Sequence, residues 1–295
     1  MITIAIPTYN RGTILVETIE RLLALETRPD AILIVDQTRE HPFAIAERLA
    51  AWDAGGTIRW VRLPQPSIPH AMNVALLEAT TELVLFLDDD VEPSPRLVAE
   101  HVAAHADATL AAVVGQILQP GEEPAHFPRP GDDLEFRFSH DEAALVTNVM
   151  AGNLSVKRER AIAIGGFDEN YVGAAYRFET DFALRLAAAG GTIRYEPRAS
   201  LRHLKLATGG LRSYGDHRTT AAPLHTVGDY YFALAHRRDF ARYALRRVVK
   251  NVATRYHATH PWTIPTKLIG EVRGLMLARR LRREGAKLLE ARTED

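Results

Sequence analysis

The sequence predicts an α/β fold: a doubly wound, mostly parallel sheet with helices on both faces, continued by a basic helical C-terminal extension. Three observations carry this expectation. Short apolar runs alternate with amphipathic stretches through the first half of the chain, the pattern of strands joined by right-handed helical crossovers. The run Leu83-Val84-Leu85-Phe86-Leu87 is continuously apolar, as a central strand covered on both faces requires. Residues 237–287 hold 14 of the 36 Lys and Arg residues and only three acids, Asp239, Glu271 and Glu284, so the tail is a separate electrostatic object.

Taken in order, residues 2–6 read as a strand ended by Pro7. Leu15, Ile19, Leu22 and Leu23 recur at helical spacing. Residues 31–35 form a second strand, 43–52 a helix and 57–63 a third strand. Met72, Ala75, Leu76 and Ala79 mark a helix that leads into the strand at 83–87. A helix over 95–105 and a strand over 110–117 follow. Residues 118–133, with Pro120, Pro124, Pro128, Pro130, Gly121 and Gly131, read as a long surface loop. Residues 153–156 form a strand, 178–189 a helix ended by Gly190-Gly191, and 192–195 a strand. From about residue 224 the pattern is helical and basic.

The 295 residues, 46% apolar, suffice for one large domain, or a domain with an appendage. The net charge of -1 gives no reason to expect nucleic acid as a partner. The chain has no cysteine, which excludes thiolate metal sites and cysteine nucleophiles and fits a reducing cytoplasmic setting. No secretory leader is expected, because the apolar run after Met1 has no basic segment before it. No stretch approaches the ~18 apolar residues of a membrane span.

Three features converge on one sheet edge. Asp88, Asp89 and Asp90 follow the central strand at its carboxyl end, where open α/β sheets bind ligands. Adjacent carboxylates repel one another, and a divalent cation such as Mg²⁺ or Mn²⁺ removes the repulsion. The alternative is an acidic turn that caps the following helix. Pro7-Thr8-Tyr9-Asn10-Arg11 leads from the first strand into a helix N-terminus, a natural anion site. Asp36 ends the second strand, where its carboxylate can accept a hydrogen bond from a base or ribose.

Five segments in this order and spacing resemble family 2 glycosyltransferases, which have the GT-A fold: Pro7-Thr8-Tyr9-Asn10-Arg11, Val35-Asp36, Asp88-Asp89-Asp90, Gly165-Gly166-Phe167-Asp168-Glu169 and Glu179-Thr180-Asp181-Phe182-Ala183-Leu184-Arg185. The resemblance covers about residues 1–210. It implies that Pro7, Thr8, Tyr9, Arg11, Asp36 and Asn73 hold the nucleotide, with Asp36 reading the imide N–H of uracil or thymine. Asp88 and Asp89 would face ribose and metal, Asp90 would ligate the Mn²⁺ or Mg²⁺, and His203 would complete the metal site. Gly152 and Asn153 would meet the acceptor. Two departures stand out: Gln37-Thr38 replaces the usual acid-glycine-serine turn, and the acidic pair before the last helix reads Phe178-Glu179.

Glu179 and Asp181 are catalytic candidates. An inverting transferase needs one carboxylate to take the acceptor proton. The two acids lie about 200° apart around a helix and cannot both face one site. Asp181 is four residues before Arg185, a salt-bridge spacing, so Glu179 is assigned the base and Asp181 a supporting role. Thr208-Gly209-Gly210 is expected to form a loop over the donor sugar.

The expected organisation is therefore a catalytic domain over residues 1–223 and an extension over 224–295. The expected function is inverting transfer from a UDP- or dTDP-sugar to a saccharide or lipid-linked hydroxyl. A nucleotidyltransferase would carry a glycine-rich loop after the first strand, and none is present. An NAD oxidoreductase would need Gly-x-Gly-x-x-Gly there. A non-catalytic binding module would not need the acidic triplet and Glu179 intact. In the tail, Phe240, Tyr243, Ala244, Val248 and Val252 form an apolar stripe beside Arg242, Arg246, Arg247 and Lys250, with Arg279-Arg280 and Arg282-Arg283 beyond. These helices either lie on a membrane surface or pack on their own domain. The expected location is cytoplasmic, free or peripheral on the cytoplasmic face of the membrane.

Overall fold

The computed structural model describes residues 1–128, 133–206, 209–210 and 216–290. Pro130 and Gly131 of the expected loop, and Thr208 of the expected Thr-Gly-Gly segment, lie outside the described residues. The strands are β1 (Ile2–Thr8), β2 (Ala31–Asp36), β3 (Arg59–Arg62), β4 (Leu83–Leu87), β5 (Val91–Pro93), β6 (Leu110–Leu118), β7 (Ala144–Leu145), β8 (Asn153–Lys157) and β9 (Thr192–His203). The helices are α1 (Thr13–Leu23), α2 (Phe43–Ala54), α3 (Ile68–Glu78), α4 (Leu97–Ala104), α5 (Arg158–Ala163), α6 (Phe178–Ala188), α7 (Val227–His236), α8 (Phe240–Val252), α9 (Arg255–Thr259) and α10 (Ile264–Glu284).

The sheet runs β3-β2-β1-β4-β8-β6-β9-β5, with β7 on β9. Strands β3, β2, β1, β4, β6 and β9 point one way, while β8, β5 and β7 oppose them. This is the doubly wound, mostly parallel α/β sheet expected. The continuous run of β4 is buried along its whole length between β1 and β8. The stripe of α1 buries Leu15, Ile19 and Leu22. Ser67 caps α3, its Oγ accepting from His70 N, and Pro69 sits in the first turn, where its missing N–H is not needed. Gly190, at φ +80°, ends α6, its N–H and that of Gly191 donating back to Ala187 and Leu186.

Three differences from the sequence reading matter for the site. The strand expected over 192–195 continues to His203, although Pro197 lies inside it. The β6–β9 register jumps between Gly115↔Glu196 and Gln116↔Ser200, and a bulge of this kind leaves residues 197–199 out of the ladder, so proline costs no hydrogen bond. Residues 91–93, to which the sequence reading assigned no element, form β5 and pair with the end of β9, Val91 opposite His203. The helix expected from 95 begins at Leu97.

The core does not stop at residue 223. Val227, Tyr230, Tyr231 and Phe232 of α7, and Ala278 and Leu281 of α10, belong to the same buried cluster as the sheet. Glu271 of α10 joins α8 and α7: it pairs with Lys267 (3.2 Å) and Arg247 (3.2 Å), and accepts from Tyr230 Oη (2.8 Å). The chain then returns to the domain, where Leu289 N donates to Gly165 O and Lys287 Nζ pairs with Glu169 at 2.8 Å. No helix among the described residues is long and apolar enough to cross a membrane.

Candidate active site

Parallel β1 and β4 stop together, so residues 8–11 and 88–90 emerge at one carboxyl edge of the sheet. They line a cavity of about 500 Å³, within the size range of ligand sites. Pro7, Thr8, Tyr9, Arg11, Asp88, Asp89, Asp90, Gly152, Glu179 and His203 all line it. Each was a site expectation from the sequence.

The three aspartates fan apart. Asp88 is exposed and lies against Gly152, where a Cβ would collide with the Asp88 carboxylate. Glycine is therefore required there for close approach. Asp89 turns inward, accepting from Thr8 Oγ1 at 2.7 Å and meeting Arg11 Nε at 3.0 Å. Asp90 is buried, with Oδ1 3.1 Å from His203 Nε2 and Oδ2 3.2 Å from both Leu206 N and an Arg11 terminal nitrogen. The β5–β9 pairing delivers His203 here, and Leu204 N donates to Asp90 O to lock that end.

Asp88, Asp90 and His203 each offer one ligand atom, and these atoms lie within 4.8 Å of one another. Two carboxylate oxygens and one imidazole nitrogen suit a hard or borderline divalent cation. His203 Nδ1 is buried without a partner among the described residues, so Nε2 is the nitrogen that serves the carboxylates. Asp89 has a different environment. Burial pushes its carboxyl up to about 7 despite the opposing pull of Arg11 and Thr8. For Asp90, burial also works upward, but the hydrogen bond and charge of His203, with Arg11 and Leu206 N, hold it below the usual carboxylate range. The hydrogen bond to Asp90 in turn raises His203, against burial.

Also lining the cavity, Glu179 stands in the first turn of α6, where the helix dipole favours a carboxylate. Its Oε1 accepts from Ala151 N at 2.7 Å. The residue before α6, Arg177, has φ +74°, and Asn10 (+56°) and Lys205 (+52°) are also left-handed. Backbone strain of this kind clusters at functional sites, and all three flank or line this cavity. Gly209 and Gly210 close one wall: Gly210 N donates to Tyr9 O at 2.8 Å, and Gly209 lies against Asn10 O.

The sequence profile of glycosyl transferase family 2 matches residues 3–178. The chain belongs to glycosyltransferase family 2. It is 28% identical over 211 residues to the pre-mycofactocin glycosyltransferase of Mycobacterium tuberculosis, in both strain H37Rv and strain CDC 1551. That match takes in 68% of this chain and 42% of the relative, so the chain spans under half the length of the curated relatives it matches. Among solved structures it resembles the mannosyltransferase PcManGT from Pyrobaculum calidifontis in complex with GDP-Man and Mn²⁺. The TM-score is 0.57 at 20% identity, covering 96% of this chain and 79% of the other. It also resembles GalNAc-T7 with UDP, GalNAc and Mn²⁺, with TM-score 0.58 at 16% identity, covering 79% of this chain and 50% of the other. The fold is the GT-A fold that the five sequence segments imply.

In this family 2 member, four residues expected at the site do not line the cavity. Asp36 is fully buried, and its carboxylate is already occupied: Oδ1 accepts from Thr38 N (2.8 Å), Oδ2 accepts from Trp60 Nε1 (2.9 Å), and His41 Nε2 lies 2.6 Å from Oδ2. Asn73 is fastened to the loop after α5, its Nδ2 donating to Phe167 O and its Oδ1 accepting from Phe167 N. Asp181 faces away from the cavity into an ion pair with Arg185 (2.8 Å) and a contact with His236 Nε2 (2.7 Å). Burial would raise this carboxyl, but His236 and Arg185 hold it low. The glycines Gly165 and Gly166 approach Leu288 and Leu289 of the chain's own C-terminal return, not a ligand.

Asn153, expected to bind acceptor, lies inside the sheet. Its Nδ2 donates to Gln116 O and Ala199 O, and its Oδ1 lies 2.8 Å from His101 Nε2. His101 and His105 both reach Ser155 Oγ at 2.8 Å. Burial pushes His101 down to about 4 and His105 down to about 3. The unfolded chain takes up protons near pH 6.5 that the native network refuses, so stability is complete above that pH and is lost on acidification toward pH 4. Each group contributes roughly 3 kcal/mol of loss by pH 4. In melting curves against pH, His105→Gln should fall less steeply than the unmodified protein over this window; parallel curves would refute the assignment.

Sequence reasoning missed Gln37, Gln119, Lys205 and Leu206 on the cavity wall, and Trp60 and His41 over Asp36. Trp60 gave a signal only through register, since β2–β3 pairing sets it beside Ile34.

Proposed function

We propose that this chain transfers one sugar from a nucleoside diphosphate donor to an acceptor hydroxyl, with inversion at the anomeric carbon. The observation that carries the reading is that the clustered Asp88, Asp90 and His203 line the same cavity as Glu179. Asp88, Asp90 and His203 would hold Mn²⁺ or Mg²⁺, which when bound supplies positive charge to the leaving diphosphate. Arg11, paired with Asp89 and Asp90, adds a second cation at that place. Glu179 takes the acceptor proton as the acceptor oxygen forms its bond to the anomeric carbon. The bond from that carbon to the diphosphate breaks on the opposite face, and the diphosphate leaves with the electron pair. The acceptor is a saccharide or lipid-linked hydroxyl, entering beside Gly152.

UDP- or dTDP-sugar is the first reading of the donor. GDP-mannose is the second, and a specific observation favours it. Asp36, the imide reader of the first reading, is already occupied by Trp60 and His41, and the neighbour covering 96% of this chain carries GDP-Man. A thermal-shift screen of UDP, dTDP, GDP and CDP, each with and without Mn²⁺, decides. A ligand at about 100 times its dissociation constant should raise the melting temperature by about 5 °C. The rise should depend on Mn²⁺ and rank the bases. No rise with any nucleotide would count against the transferase reading.

A further inference from the structure

Some of the tail's cations have structural duties, and others frame an apolar surface. Arg247 and Lys267 point inward to Glu271, with Arg247 also on Asp229. The outward face of α8 instead presents Leu245 (66% exposed) and Val249, flanked by exposed Arg242, Arg246 and Lys250. On α10, Ile269, Val272 and Met276 (65% exposed) fall on one stripe at helical spacing. Arg279 and Arg283 continue the same stripe and are exposed. Trp262, 70% exposed, stands at the entry to α10.

Large exposed apolar side chains are concentrated in this region: Leu245, Val249, Trp262, Leu268, Ile269, Val272 and Met276 all lie within α8, α10 and the turn before α10. Exposed apolar side chains concentrated in this way mark an interaction surface. Helix α8 has no acid, and those of α10 are engaged: Glu271 is buried in its ion pairs, and Glu284 is paired with Arg280. An isologous pairing with a second copy would set one cation-rich face against another. A surface with dense negative charge above an apolar interior complements both features: cations meet the anionic headgroups, while Leu, Val, Met and Trp side chains enter the acyl boundary.

We propose that the outward faces of α8 and α10, with Trp262, dock this protein on an anionic lipid surface. Helices α9 and α10 also hold residues 217–220: Lys267 Nζ donates to His217 O at 3.0 Å, His257 Nε2 lies 3.1 Å from Arg218 O, and Gly270 lies against Thr220 O.

The test is co-sedimentation of the full chain with phosphatidylcholine vesicles, with and without phosphatidylglycerol, at low and high salt. The unmodified protein should pellet with phosphatidylglycerol vesicles at low salt and be partly released by high salt, which screens surface charge. Arg279→Glu with Arg283→Glu should weaken partition by about a hundredfold. Val272→Ser with Met276→Ser should weaken it by about tenfold and make the remainder fully salt-sensitive. All four positions are exposed, so unchanged melting temperatures are expected. Protein that stays in the supernatant with phosphatidylglycerol at low salt overturns the proposal, as do variants that bind like the unmodified chain. Sedimentation equilibrium showing a dimer that Val272→Ser with Met276→Ser dissolves also overturns it, because a second copy then covers the face. Manganese-dependent stabilisation by nucleotide should be the same in every variant. Its loss throughout, with vesicle binding intact, would count against the transferase reading alone.

Discussion

Asp90→Asn is expected to lower turnover by about a thousandfold and to abolish the Mn²⁺-dependent part of nucleotide stabilisation. Asparagine keeps the size of the side chain and can still accept from Leu206 N. It removes the charge that Asp90 contributes to His203 and to Arg11. Two of the three candidate ligands then remain, and only Asp88 is anionic. Mn²⁺ affinity, read by the electron paramagnetic resonance of free ion in the absence of donor, should fall with turnover. Asp89→Asn is the contrast. Its carboxyl turns inward to Thr8 and Arg11 and is raised to about 7 by burial, so its loss should cost roughly tenfold in turnover and little in Mn²⁺ affinity. If Asp90→Asn kept Mn²⁺ binding and turnover within tenfold of the unmodified protein, the ligand set named here would be wrong.

The two aspartates show what sequence can and cannot say about a site. That three acids follow a buried strand was plain from residues 83–90, because burial of a strand depends on composition alone. Which acid turns inward depends on what lies behind it. Thr8, Thr18 and Arg11 take Asp89, and their partnership across β1 and α1 is not written in the spacing of any one segment. The same holds for His203. Its residue type suggested a ligand, but its delivery rests on a bulge that carries β9 past Pro197 and on a three-residue β5 that gives no periodic signal. Strand β4, the stripe of α1 and the glycine stop of α6 were legible because each is a local pattern.

Asp36, Asn73 and Asn153 show the opposite case. Each was expected to meet a ligand, and each spends its polar groups inside the protein. For Asp36 the causes are Thr38 and His41 just beyond it in sequence and Trp60 on the neighbouring strand, whose indole N–H donates to the carboxylate. The tail divides in the same way. Its apolar stripe on α8 reads as amphipathic, but that stripe packs inward at partial burial, and the face left to solvent is the one carrying Leu245 and Val249. Of the two readings of the basic helices, packing on the domain accounts for Arg247 and Lys267, and the lipid docking proposed above concerns only the arginines on the outer stripe of α10.

Glu179→Gln is expected to lower turnover by about a thousandfold to ten-thousandfold, the span of a lost general base, while nucleotide and Mn²⁺ binding stay unchanged. Glutamine preserves the bond from Ala151 N, because its amide oxygen can accept where Oε1 does now. The cavity therefore keeps its shape, and only the capacity to take a proton is removed. The expected signature is a fall in kcat with little change in donor affinity. Asp181→Asn should behave oppositely. Asp181 is buried between Arg185 and His236, and neutralising one member of such a group leaves the others unpaired. A stability loss of roughly 3 kcal/mol follows, with kcat retained in the folded fraction. A mutant pair in which Glu179→Gln turns over within threefold of the unmodified protein while Asp181→Asn does not would exchange the two roles. In that event the first turn of α6 would have to rotate by about half a turn on substrate binding, since the two side chains lie about 200° apart.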